Sequence, residues 1–136
     1  MKIASWPVLL LGLLLVPLIA CSSGKSAKEK YCDDLDDVKS DIQTVADEAK
    51  NLNVQKTQEA VDKVKSDVDD AKKSAKDVDP GGASQLSAKY DAVKTSIQVL
   101  GQGGGGSLAA NFSQLQTSVS DFSNQLNILI QEYNCK

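Results

Sequence analysis

The sequence predicts an all-α protein, an antiparallel up-down-up-down four-helix bundle whose two ends are stapled by a disulfide. Three observations predict it. From Tyr31 onward the apolar residues recur at alternating spacings of three and four, the period of a helix with one buried stripe. That stripe is broken three times by residues that end or cap helices. Two cysteines, Cys32 and Cys135, stand at the two ends of the striped region.

The chain of 136 residues is one domain's worth, divided into three parts. Residues 1–20, MKIASWPVLLLGLLLVPLIA, have a short positive start at Lys2 and then an apolar run from Val8 to Ala20. The run is shorter than the roughly twenty apolar residues of a membrane-spanning helix and fits the apolar region of a cleaved signal peptide. It ends in Leu18-Ile19-Ala20-Cys21, followed by Ser22-Ser23-Gly24. This resembles the lipobox of bacterial lipoproteins: a leucine three places before a cysteine, a small residue just before it, and small polar residues after it. The resemblance implies cleavage before Cys21 and attachment of a diacylglyceryl group to its sulfur. Two acyl chains, at about 0.8 kcal/mol per buried methylene, give stable anchoring. Residues 21–29 then read as a short polar tether and residues 30–136 as the bundle.

Four striped segments make up the bundle. The first is Tyr31, Leu35, Val38, Ile42, Val45, Ala49 and Leu52. The second is Val61, Val64, Val68, Ala71, Ala75 and Val78. The third is Leu86, Tyr90, Val93, Ile97 and Leu100. The fourth is Leu108, Phe112, Leu115, Val119, Phe122, Leu126, Leu129 and Tyr133. No stretch alternates with period two over a useful length, so no sheet is expected.

Asn51-Leu52-Asn53 separates the first two segments only weakly, and one bent helix stands there as the alternative to two. Asp79-Pro80-Gly81-Gly82 reads as a strong stop and turn. The glycine run around 103–106 cannot hold a helix, and Ser107 is a good cap for the next one. A faint repeat runs through all four segments. Val38-Lys39-Ser40-Asp41-Ile42 returns as Val64-Lys65-Ser66-Asp67-Val68 and as Val93-Lys94-Thr95-Ser96-Ile97. It returns more weakly as Leu115-Gln116-Thr117-Ser118-Val119. Duplication of a helical unit and coincidence within a restricted alphabet both account for it.

In this topology the start of the first helix lies beside the end of the fourth, which places Cys32 near Cys135. With Cys21 taken by lipid, the remaining two cysteines can pair, and an exported chain meets an oxidising compartment. The alternative is two free thiols. A bridge would close a loop of about a hundred residues, worth on the order of 4–5 kcal/mol.

Composition narrows the functions. Net charge is −3, all fifteen basic residues are lysine, and there is neither arginine nor histidine. Arginine supplies the fork that grips phosphates and base edges, and histidine most acid–base and metal chemistry near neutral pH. No nucleic-acid partner, cofactor, metal or catalytic residue is therefore expected.

Candidate motifs point the same way. Asp33, Asp34 and Asp37 have the spacing of the aspartate-rich motif of prenyl-transfer enzymes, but no second acidic motif or basic diphosphate binder accompanies them. A solvated acidic face in the first turns of a helix is the better reading. The glycine run lacks the strand and the Gly-Lys-Ser/Thr of a phosphate loop. Asn111-Phe112-Ser113 is a formal glycosylation sequon inside a predicted helix, and is discounted. Leu126, Ile128, Leu129 and Ile130 widen the apolar face of the last segment and form a candidate interaction patch; deep burial of that helix is the other explanation.

The striped part is similar in pattern to small helical envelope lipoproteins of actinobacteria. That resemblance supplies no site residues. The role of those proteins is uncharacterised; the lipobox, the helical stripes and the lack of a catalytic constellation lead us to expect a lipid-anchored, non-enzymatic module on the extracytoplasmic face of the cell membrane, with a structural or protein-interaction role and an envelope protein as partner. The alternative is a carrier or binder holding a small apolar or lipid ligand between the helices, against Tyr90, Phe112 and Phe122.

Overall fold

A computed structural model describes residues 24–103 and 105–136. The expected signal peptide, the expected lipidation site Cys21 and the first residues of the expected tether lie outside them. The described chain forms four helices: α1 (Ala27–Lys50), α2 (Val54–Ser74), α3 (Pro80–Gly101) and α4 (Leu108–Glu132), with a 3-10 turn at Ala75–Asp77. They form an up-down-up-down ring in which each helix packs on its two neighbours. Among the described residues there is no strand.

Local chemistry sets each boundary. Ser26 caps α1: its hydroxyl accepts from the Glu29 amide at 3.2 Å, and the Glu29 carboxylate accepts from the Ser26 amide at 2.7 Å. This reciprocal pair starts the helix at Ala27, inside the stretch expected to be tether. Helix α1 ends at Asn51 with Leu52 in the left-handed region, φ 55°. The Leu52 amide donates to Ala49 O at 3.1 Å and the Asn53 amide to Glu48 O at 3.4 Å, a Schellman closure. Asn53 then caps α2 by accepting from the Lys56 amide at 3.0 Å. The first two segments are therefore separate helices.

Two expectations shift. Helix α2 starts at Val54, seven residues before the first apolar residue of its stripe, because Thr57 occupies a core position. Its hydroxyl donates to Asn53 O at 2.6 Å, so burial leaves no unmatched donor. Asp79-Pro80-Gly81-Gly82 is also a helix start as well as a stop. Asp79 accepts from the Gly82 amide at 2.7 Å, and Pro80 opens α3, where its missing N–H costs nothing.

The core is the stripe. The predicted seam residues are buried apart from Leu52 and Leu108, which lie at helix ends and are 55% and 52% exposed, and Val78 and Tyr133, which are half-buried. Gly82 belongs to this packing. A Cβ there would stand 1.9 Å from Asp79 Oδ2 and 2.6 Å from Leu129 Cδ2, so a side chain at 82 would have to displace the capping Asp79 carboxylate and the Leu129 side chain.

Candidate functional site

At one pole α1 begins and α4 ends. Helix α4 closes through Asn134, φ 51°, whose amide donates to Gln131 O at 3.1 Å, while the Cys135 amide donates to Ile130 O at 3.0 Å. That second Schellman closure turns the chain back towards α1. Cys135 thereby meets Cys32: their Cα atoms are 5.3 Å apart and their sulfurs are bonded. Beneath the bridge, the rings of Tyr31 and Tyr133 pack edge to face at 5.6 Å. Tyr31 is fully buried and its hydroxyl has no hydrogen-bond partner in the protein. Burial pushes the Tyr31 phenol up from its usual range, helped by the Asp79 carboxylate. A groove of about 430 Å³ flanks the bridge, lined by Ser26, Lys28, Glu29, Asp33 and Lys136 with the two cysteines.

At the opposite pole lie the α1–α2 turn, the glycine-rich loop and the start of α4, with the exposed Leu52 and Leu108. Between the poles, a groove of about 400 Å³ opens along the α1–α4 seam, with Ala46, Ala49 and Val119 as floor and Lys50, Gln116, Ser120 and Ser123 as rim.

The candidate interaction patch does not form as a strip. Leu126 and Leu129 are fully buried, Ile130 is half-buried against the core, and Ile128 alone stands out, 55% exposed. The extra apolar residues of this segment mostly deepen the burial of α4. Tyr90, Phe112 and Phe122 are buried members of the same core. The Tyr90 hydroxyl donates to Val61 O at 3.3 Å, and burial pushes its phenol up to about 12. Neither groove described above reaches these three residues.

The aspartate run disperses. Asp33 pairs with Lys25, Asp36 and Asp37 are exposed, and Asp34 turns towards α2 with one carboxylate oxygen buried and unpartnered. Among the described residues no group of three or more histidine, cysteine, aspartate or glutamate side chains is placed to hold a metal ion.

The repeat contains what the motif reading passed over. Its fourth position is Asp41, Asp67, Ser96 and Ser118. In the second hairpin, Ser96 and Ser118 meet across α3 and α4, oxygen to oxygen at 2.9 Å. In the first hairpin, Asp41 and Asp67 meet across α1 and α2. Asp41 is only 6% exposed, and Lys63 Nζ donates to its Oδ1 at 2.7 Å. Burial, reinforced by contact with Asp41, raises the Asp67 carboxyl to about 6. An aspartate falling just before an apolar seam residue twice, where later copies carry serine, is the sequence signal for this pair.

No family model, no curated protein and no solved structure matches the chain.

Proposed function

We propose that the protein is a lipid-anchored module of the extracytoplasmic membrane face, with a structural or protein-interaction role and no reaction of its own. The observation that carries this reading is Leu18-Ile19-Ala20-Cys21 at the end of an apolar run. The fold agrees with it in two ways. Helix α1 begins at Ala27, a few residues after Cys21, so in this reading the disulfide pole faces the bilayer. Helices of 21–25 residues, rising about 1.5 Å per residue, carry the far pole some 35 Å outward. There the exposed Leu52 and Leu108 are the apolar side chains that a protein partner would meet first. No helix among the described residues is long and apolar enough to cross a membrane, so this reading gives the attachment to lipid.

The experiment is fractionation of cells producing the wild-type chain or Cys21→Ala. The wild type is expected in the membrane fraction, with a diacylglyceryl mass on the peptide beginning at Cys21. The variant is expected to be released, and its retention in the membrane would overturn the proposal.

A further inference from the structure

We propose that Asp41 and Asp67 form a carboxyl–carboxylate pair that holds a single proton between α1 and α2, and that release of this proton loosens the first hairpin. The geometry requires a donor that the protein does not otherwise supply. Asp41 is more than nine-tenths buried; its Oδ1 takes the Lys63 ammonium at 2.7 Å, while its Oδ2 is buried with no hydrogen-bond partner. Asp67 stands one turn along α2 from Lys63, on the same helix face that reaches Asp41, and the Asp41 carboxylate acts directly on it. Two ionised carboxylates there would present acceptor to acceptor in a desolvated seam. A proton on Asp67 turns the contact into a short charge-assisted hydrogen bond onto Oδ2.

The other hairpin supports this. Ser96 and Ser118 occupy the equivalent repeat positions and make a direct hydroxyl–hydroxyl hydrogen bond. Serine brings its own proton to such a contact, whereas aspartate must take one from solvent.

Charge counting favours the protonated state as well. The groups acting on Asp67 are Asp41 and Asp37 from α1 and Lys63 from its own helix. With one proton, Asp41, Asp67 and Lys63 sum to zero; without it they sum to −1, beside a further negative charge on Asp37. The other helix packed on α2 is α3, and its Lys94 shares a groove with Asp62 and Gln58. Asp62 lies about 140° around α2 from Asp67, at 100° per residue, so Lys94 does not offset the pair.

Burial holds the Asp67 proton up to about pH 6. A group whose folded pKa is raised contributes stability below its unfolded pKa and loses it as pH rises through the folded value. Stability should therefore fall as pH rises from about 4 through about 6. The chain has no histidine to titrate there, and the Glu29 and Asp69 carboxyls are lowered, opposite in direction to Asp67.

The test is carbon-detected NMR titration of aspartate carboxyls in the purified full chain, with thermal melts at pH 5 and pH 7. The wild type should show one aspartate midpoint near 6 and melt lower at pH 7. In Asp41→Asn the Asp67 midpoint should fall below the wild-type value, while burial still keeps it above the ordinary carboxylate range. The double variant Asp41→Ser/Asp67→Ser, which copies the second hairpin, should melt equally at both pH values. Titration of every aspartate below pH 5 in the wild type would overturn the proposal, whether or not the variants fold. A double variant that keeps the wild-type difference would overturn it too.

Discussion

Cys32 and Cys135 are 103 positions apart in sequence, yet their Cα atoms are 5.3 Å apart and their sulfurs are joined. The bundle creates that proximity and the bridge then holds it. A loop of this length, once closed, restricts the unfolded chain by an amount nominally worth about 4–5 kcal/mol. Cys32→Ser/Cys135→Ser should keep its helices and lose about 3–5 kcal/mol in denaturant unfolding. An unchanged midpoint would mean that the reduced chain is already held closed by packing.

Gly82 and Gly81 make a matched pair of substitutions. Gly82→Ala drives a methyl into Asp79 and Leu129, and should cost about 1–3 kcal/mol as both side chains are displaced. Gly81→Ala meets only Asp79 Oδ1, at an ordinary 3.7 Å, and should gain roughly 0.5–1 kcal/mol from helix propensity. Thermal melts of the two variants should move in opposite directions.

Leu52 holds a left-handed backbone while more than half exposed. A leucine is disfavoured there by roughly 1–2 kcal/mol, against little for glycine. Leu52→Gly should therefore raise the melting temperature of the bundle slightly. A fall would show that the leucine's remaining contacts outweigh its backbone strain.

The three tyrosines report on alkaline unfolding. The phenols of Tyr31, Tyr90 and Tyr133 are all raised, each chiefly by burial. A raised folded pKa means stability that is intact below pH 10 and lost as pH climbs towards 12. Phenolate absorbance should appear late and together with loss of helical circular dichroism. Early ionisation of all three in a fully helical protein would contradict their burial.

Much of the fold was legible because one signal, the three-four stripe, both forms the helices and buries them. Tyr31 through Ala49 and Phe112 through Leu129 are core residues at the predicted positions. Legibility failed where polar atoms replaced apolar ones. Thr57 sits in the core with its hydroxyl turned onto backbone, so the start of α2 was hidden from a hydropathy reading. Asp79-Pro80-Gly81-Gly82 looked like a turn because its residues favour turns, yet the same aspartate and proline also begin a helix. The patch on α4 failed for a related reason: counting apolar residues does not say which neighbours cover them. Asp41 and Asp67 were visible only as members of a repeat. Their meeting depends on the antiparallel register of α1 and α2, which no single segment encodes.

The bond between Cys32 and Cys135 also fixes how the molecule bears tension. A pull applied between residue 24 and Lys136 passes from one sulfur to the other and never reaches the hundred residues looped between them. Stretched by its ends, the bundle should stay folded until a covalent bond gives way, whereas its reduced form should peel apart helix by helix.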